Sequence, residues 1–475
     1  FLHLNTAHTS STSHRHNTTA TEAWGTREEP PVTVTVPAEI ILINCLDSLF
    51  EICNLMSNER LSIAPMLDCT TRHYRYLMRG ITRRTVLYTE MIVDSTIIFQ
   101  QQQLAPFLRH DFYEEADGGS TVVQMGGFDP DDMAAAAGLV CDYSGAHYSE
   151  MNINCGCPSA KVVGKCFGAK LMLEPPLVRR IAAQMQRRVG HCCPVTVKCR
   201  IGADDRDSYE HLCEFIQEVR AAGVRKFIVH ARKCHLSGLS TKQNRNVPPL
   251  QYAVVHRLVA EYPDLQFVLN GGLTSLGQVD EHMGLTSLGH SDEQQQDWGL
   301  PVHGCMVGRA VYTNPFLVSH ADTKYFGASS DPCLTRGELL ERYYDYCGGV
   351  MQEGGRGSGL CDANPDELHE VLDGRGHQDV GSASKSSDEG KVKIGKLLDA
   401  AKNVFHSCKG VSKYRQRLKE IYSQELRRSR AAGGGFVVSD HEGGGGEGGP
   451  DPVRIIQQAI AETISPDDLD NVPQE

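Results

Sequence analysis

At 475 residues the chain exceeds a single ordinary domain and can hold one barrel of roughly 250 residues plus a smaller domain. A net charge of −12 excludes a uniformly basic nucleic-acid binder but not a local basic surface, so charge is read segment by segment. The 17 cysteines are odd in number, irregularly spaced and without any Cys-x-x-Cys, which argues against a zinc site and predicts free thiols in a reducing compartment rather than a secreted protein.

Residues 1–58 read as a largely disordered leader. The first 37 are rich in Ser, Thr and His, with no acid before Glu22, and Arg15 is the lone arginine of the first 20, so likeness to an organellar transit peptide is slight. Ala38–Met56 is apolar but carries Glu39, Asp47 and Glu51, which makes it a poor membrane span and suits an extra helix or strand packed on the domain.

From Leu61 the texture changes. Short apolar runs recur at Leu61–Met66, Val86–Ile92, Thr121–Met125, Glu150–Asn154, Val195–Ile201, Lys226–Ala231, Gln266–Asn270 and Gly304–Gly308. Helix-length segments such as Asp129–Asp142, Gly168–Arg188 and Ser208–Ala222 separate them. Alternating strands and helices imply a parallel sheet, and eight such units over 59–328 predict a (β/α)8 TIM barrel of the α/β class. A Rossmann-type sheet is the alternative, but no Gly-x-Gly-x-x-Gly follows the first strand. Gly-Leu-Thr-Ser-Leu-Gly occurs at 272–277 and again at 284–289, a local duplication that predicts an insertion at about 276–300. Thr335–Val350 and Val392–Gln424 have helical patterning, which places a small all-helical domain at 329–430, split by a disordered Gly/Ser/Asp/His-rich insertion at about 354–390. Residues 431–475 form a Gly-rich acidic tail in which Asp451–Ser465 suits one amphipathic helix.

Barrel enzymes place their chemistry at the C-terminal strand ends. Here those ends read Ala-Pro-Met-Leu-Asp (64–68), Tyr-Thr-Glu-Met (88–91), Gln-Met-Gly-Gly (124–127), Asn-Cys-Gly-Cys-Pro-Ser (154–159), Lys-Cys-Arg-Ile-Gly (198–202), His-Ala-Arg (230–232), Asn-Gly-Gly (270–272) and Gly-Arg (308–309). Asn270, Gly271, Gly272, Gly308 and Arg309 suit a phosphate site, with Arg309 able to pair bidentately. Lys198 would stabilise negative charge on an electron-rich ring, and Gln124 would hydrogen-bond an amide-like ring edge. The plainer alternatives are a barrel ion pair of Lys198 with Glu90 and a satisfied core histidine at His230. Met151–Ser159 begins as a short alternating strand and breaks at Gly156 and Pro158. Cys157 stands at that break and can reach the barrel mouth, while Cys155 lies within or beside the strand and suits packing. The pattern describes a phosphorylated, planar, redox-type cofactor beside a thiol; flavin mononucleotide fits, although composition alone does not choose it. No metal site is expected.

These motifs resemble the tRNA-dihydrouridine synthases, most closely their A-type subfamily. The likeness runs from about Leu61 to Phe316 and resumes over about Lys396–Leu418. It rests on Ala-Pro-Met-Leu-Asp-x-Thr (64–70), Asn-x-Gly-Cys-Pro-Ser (154–159), Val-Thr-Val-Lys-x-Arg-Ile-Gly (195–202) and His-Ala-Arg-Lys-x-x-Leu-Ser-Gly-Leu-Ser-x-Lys-x-Asn-Arg (230–245), the last specific to the subfamily. The resemblance implies an FMN-dependent enzyme that uses NADPH to reduce a D-loop uridine of tRNA, at position 20 or 20a, to 5,6-dihydrouridine. It implies Cys157 as the catalytic acid. Pro65, Met66 and Leu67 would line the flavin through main chain, and Gln124, Lys198 and His230 would contact its ring and tail. Asn270, Gly271, Gly272, Gly308 and Arg309 would hold its phosphate end. Asn154 would touch the target uridine, and Lys242, Arg245 and Arg415 the tRNA. The family pattern Gly-x-Pro-Gly-Ala-Arg-x-Trp-Arg aligns with Ser407–Arg415, where Arg415 is kept but Lys409, Ser412 and Tyr414 replace a proline, an arginine and a tryptophan. That puts one tRNA contact in question, with Lys413 as the candidate substitute.

An RNA partner agrees with the eight basic residues over Lys409–Arg430, set against Glu420 and Glu425 alone. Arg72, Arg75, Arg79, Arg83 and Arg84 form a second basic group, some of whose members are expected to pair with barrel acids. The expected partner is tRNA, with no membrane and no protein partner, for a monomer in the cytoplasm or an organelle. Two other readings are an FMN barrel enzyme acting on a free pyrimidine or enone, and a tRNA-binding protein without chemistry.

Overall fold

Eight parallel strands hydrogen-bond in sequence order and close on themselves, β1 pairing with both β2 and β8. The structure, a computed structural model, describes residues 59–101, 104–109, 120–143, 147–159, 167–285, 298–332, 335–355, 394–431 and 450–471. The leader over 1–58, positions 286–297 of the expected loop insertion, the expected insertion beyond Gly355 and the Gly-rich stretch 432–449 lie outside the described residues.

The strands are β1 (Leu61–Ile63), β2 (Val86–Val93), β3 (Thr121–Gly126), β4 (Glu150–Cys155), β5 (Val195–Arg200), β6 (Lys226–His230), β7 (Gln266–Asn270) and β8 (Gly304–Val307). The TIM barrel read from the apolar runs is therefore the observed fold. β1 is shorter than its run because Pro65 has no N–H for the ladder; the Ala64 N–H makes the last bond, to Val307 O at 2.8 Å. Inside, Ala64, Val86, Tyr88, Val122, Ile228, Val268 and Met306 fill the barrel. Outside, α1 (Arg72–Ile81), α2 (Pro130–Asp142), α3 (Pro175–Val189), α4 (Tyr209–Ala221), α5 (Tyr252–Glu261), α6 (Leu276–His282) and the short α7 (Arg309–Thr313) surround the strands and share one apolar core with them.

Local chemistry sets the helix starts. Asp129 accepts the Asp131 and Asp132 N–H groups ahead of α2, and Ser208 accepts the His211 N–H ahead of α4. The run over 168–188 reads as one helix but forms two elements, a 3-10 turn over Gly168–Leu173 and then α3. Pro175 and Pro176 cause the break, since neither donates a backbone bond and each disfavours helix in the residue before it. The first Gly-Leu-Thr-Ser-Leu-Gly copy builds the turn into α6, where Ser275 accepts the Gln278 N–H.

After the barrel come α8 (Arg336–Gly355), α9 (Ile394–Ala401), α10 (Val411–Ala431) and α11 (Pro452–Thr463). The patterning over 392–424 suggested one helix; the chain instead turns over Lys402–Gly410, with Ser407 at φ +66 and Gly410 at φ +96. A Cβ on Gly410 would lie 2.1 Å from Thr463 O, so only glycine lets this turn meet the end of α11. The helices are tied to the barrel by His73 Nδ1 and Tyr346 Oη at 2.6 Å and by Asn403 Nδ2 donating to Tyr312 O at 2.6 Å. Among the described residues no helix is long and apolar enough to cross a membrane.

Two expectations are corrected. Free thiols were expected throughout, but Cys141 at the end of α2 and Cys192 just after α3 form a disulfide, the two helices bringing together residues 51 apart in sequence. The arginine group at 72–84 is largely spent on the fold rather than on a surface. Arg72 and Arg75 are buried, Arg75 donates to Thr70 O, and Arg79 donates to Thr85 O and Ser120 O. Arg83 and Arg84 donate only their backbone N–H groups to the Asp322 carboxylate, and their side chains are exposed.

At the N-terminal end of the barrel, Lys226 pairs with both Glu59 and Glu150 and is 7% exposed. Removing one partner of a buried pair strands the others without compensation. Lys226→Met leaves two buried carboxylates facing each other and should cost about 3–5 kcal/mol of unfolding free energy. Urea denaturation of the variant checks this, and a loss below about 1 kcal/mol contradicts it.

Candidate active site

All eight strands deliver their C-terminal ends to one rim, and there they line a cavity of about 1110 Å³. β4 supplies its centre. As the strand leaves the sheet, the Gly156 and Cys157 N–H groups turn back onto Asn154 Oδ1 at 3.1 and 3.0 Å. This asparagine turn satisfies two donors that the sheet no longer pairs. Cys157 thereby lines the cavity, whereas Cys155 is fully buried in the core. Burial pushes the Cys157 thiol above its ordinary range, against the pull of the Ser159 N–H and of Arg200, Arg245 and Lys198. The thiol is therefore protonated at neutral pH.

β5 to β8 supply a cationic wall. Lys198 Nζ donates to Asn270 Oδ1 at 2.9 Å, and Asn270 Nδ2 donates to Met306 O at 2.7 Å. Burial, followed by the Arg200 charge, lowers Lys198 to about 8. The alternative pairing of Lys198 with Glu90 is not made. His230 is pushed well below its ordinary value by burial and then by Arg200, Lys198, Arg232 and Arg309, so it is neutral at pH 7. Gly271 and Gly272 have φ +113 and +72, and a Cβ on them would lie 2.4 Å from His230 and 2.5 Å from Leu250. Arg309 bridges to the loop after β6, donating to Asn246 Oδ1 at 3.0 Å and to Arg245 O at 3.4 Å.

Of the residues singled out in the sequence, Pro65, Met66 and Leu67 line the cavity from the β1 loop, and Gln124, Asn154 and Cys157 from β3 and β4. Lys198, His230, Asn270, Gly271, Gly272, Gly308, Arg309 and Arg245 complete it from the other strands. Lys242 is exposed and Arg415 half-buried, and neither is among the lining residues. Sequence reasoning missed three participants. Arg200 is buried and donates to the Gly156, Lys233 and Asn244 carbonyls, bracing the Cys157 turn against the β6 loop. Glu90, raised to about 7 by burial, accepts the Asp68 N–H. Lys396 of α9 reaches Asp68 Oδ1 at 2.6 Å. Arg200 and Glu90 lie within strand-end motifs already noted, but the sequence does not show which way they point. Among the described residues no cluster could hold a metal ion.

A closed parallel barrel with a protonated thiol and a cationic wall at its mouth defines a barrel enzyme for an anionic ligand. The family model for dihydrouridine synthase (Dus) matches residues 62–364, and the chain belongs to that family. It is 39% identical over 298 residues to a tRNA-dihydrouridine(20/20a) synthase of Pseudomonas putida, covering 63% of this chain and 80% of that one. It is 41% identical to the Pseudomonas aeruginosa protein of the same name (63% and 81% covered) and 40% identical to the Synechocystis one (62% and 80%).

A raised thiol pKa means a thiolate that forms late. Alkylation of Cys157 by iodoacetamide, followed residue by residue by mass spectrometry, should have its pH midpoint above the ~8.5 of a free cysteine. A midpoint below about 8 contradicts a proton-holding thiol.

Proposed function

We propose that this chain reduces the C5–C6 bond of a D-loop uridine of tRNA, at position 20 or 20a, to 5,6-dihydrouridine, with FMN as cofactor and NADPH as reductant. Family membership and the names of its relatives support the reaction. The observation that carries it is the protonated Cys157 thiol opposite a wall of Lys198, Arg309 and neutral His230 in one cavity.

The residues fit the cofactor. The side-chain-free surface of Gly271 and Gly272 beside Arg309 suits a phosphate, whereas a Cβ at either glycine would collide with its neighbours. Lys198 has one side-chain partner for three N–H donors, which leaves donors for an electron-rich ring. Bound there, FMN reduced by NADPH would supply the hydride that the uracil ring takes up. Cys157 holds the proton that goes to C5, and burial keeps it on sulfur until then. Asn154 has both Oδ1 lone pairs filled and one Nδ2–H given to Gln124, so it offers the substrate one N–H, suited to a uracil carbonyl. The target base has to leave the tRNA fold to reach the cavity.

The tRNA would lie across the cavity rim and the helices after the barrel. Lys242 and Arg245 flank the mouth. On and just before α10, Lys409, Lys413, Lys419 and Arg427 are exposed, while Arg417 pairs with Glu420 and Glu462 and Arg428 with Glu425. We expect a monomer in a reducing cytoplasm or organelle, a setting that would suit a catalytic thiol.

The test is nucleoside mass spectrometry of tRNA incubated with NADPH and the FMN-loaded protein. Dihydrouridine should form, and Cys157→Ala should lower its rate at least ~100-fold, the low end for general acid catalysis. Equal rates for the two proteins contradict the assignment. The six exposed cations Lys242, Arg245, Lys409, Lys413, Lys419 and Arg427 predict a log–log salt slope of tRNA affinity near −4, at ~0.7 per phosphate contact, and a flat response contradicts the tRNA surface.

A further inference from the structure

The Asn154 carboxamide fixes more than its own turn. Its Oδ1 accepts two backbone N–H groups, so the atom facing them can only be oxygen. The other end is therefore the amino group, and it donates to Gln124 at 2.8 Å, which makes the Gln124 atom its oxygen. The far end of Gln124 is then the donor, at 2.9 Å from Asn152 Oδ1. Asn152 must in turn present Nδ2 to Thr196 Oγ1, at 3.0 Å. The Thr196 hydroxyl accepts that bond, so its own proton points elsewhere. It faces the Glu150 carboxyl, whose Oε2 is buried and has no hydrogen-bond partner of its own.

Every donor in this series points the same way, from the backbone of the Cys157 turn to a carboxyl at the base of the barrel. Strand register makes it possible. Glu150, Asn152 and Asn154 alternate along β4 and so share one face. Gln124 pairs with Asn152 across β3 and β4, and Asn152 with Thr196 across β4 and β5. Gln124, Asn152 and Thr196 are at most 1% exposed, so no water can replace a missing partner.

We propose that Asn152 and Thr196, ending on Glu150, are positioning residues that hold the Asn154 and Gln124 carboxamides in one orientation and so fix the Cys157 turn. Neither residue lines the cavity. Reversing one amide would face Asn154 N–H against the Gly156 and Cys157 N–H groups and open the turn. The consequence for turnover rests on the function proposed above; the consequence for the turn does not.

The experiment compares Thr196→Val, which keeps the shape and removes the hydroxyl, with Thr196→Ser, which keeps the hydroxyl. The first readout is the iodoacetamide rate at Cys157 in full-length protein without flavin, resolved by mass spectrometry. The second is kcat and KM for tRNA of the flavin-loaded enzyme. Thr196→Val should raise the Cys157 alkylation rate several-fold and lower kcat about tenfold with KM unchanged, in line with the loss of one buried hydrogen bond. Thr196→Ser should return both readouts towards the starting protein. Should Thr196→Val not fold, Asn152→Leu removes the next link and is expected to read the same way. Unchanged alkylation in the valine variant overturns the proposal, and so does a serine variant as impaired as the valine one. If the starting protein makes no dihydrouridine, the functional reading falls while the alkylation comparison still decides the chain.

Discussion

The site depends on one oxygen. Where β4 leaves the sheet, two successive N–H groups lose their ladder partners at the half-buried barrel mouth, where an unmet donor costs about 1–3 kcal/mol if water does not reach it. Asn154 Oδ1 takes both. Asparagine is short enough to bond its own backbone two and three residues on, which a glutamine or a lysine does not do as readily. A Cβ on Gly156 would make only ordinary contact, 3.5 Å from the Cys199 backbone, so the turn rests on the asparagine oxygen rather than on the glycine. The next residue is thereby lifted out of the sheet. Cys155 and Cys157 differ in exposure because one precedes this turn and the other completes it.

Around that turn charge is distributed unequally. Lys198, Arg200, Arg245 and Arg309 stand on the β5–β8 side, and Glu90 stands beside the β1 loop with Arg72, Arg75 and Lys396 around it. Arg200 spends its guanidinium on three carbonyls, so its charge is held in place. That fixed charge helps to keep His230 neutral and draws on the Cys157 thiol, although burial outweighs it at the thiol. On the opposite side, Asp68 has φ +61 and is held by Glu90 below and Lys396 beside it.

The barrel was legible because a buried parallel strand must be apolar and must stop, and both properties show in a linear string. Each of the eight runs ended near a residue that breaks pairing, as Pro65 and Gly156 do. The lining residues were legible for the same reason, since they follow the breaks. What stayed hidden depends on direction or on distant partners. Asn152 reads as one polar residue in an alternating strand; only the register with Gln124 and Thr196 gives it a role. Arg75 and Arg79 looked like surface charge because a sequence does not show the carbonyls that receive them. Cys141 and Cys192 became neighbours only through the packing of α2 on α3.

The helices after the barrel show how departures from the family pattern are absorbed. Tyr414 stands where that pattern has tryptophan, and it is fully buried edge-on against Phe405 at 5.0 Å, so the aromatic packing role is kept. Its neighbours are not equivalent in this sense. Ser412 carries no charge, and Arg415 donates Nε to Lys402 O at 3.4 Å, which ties it to the preceding turn. α11 subtracts further charge, because Glu462 engages Arg417. Lys409 and Lys413, on either side of Ser412, are exposed and have no acid partner among the described residues. The aromatic position could change only to another buried ring, because packing is set by shape. A cation that serves the tRNA surface proposed above is less tightly constrained, because attraction to a phosphate backbone acts over a Debye length of about 8 Å and tolerates displacement by a residue or two.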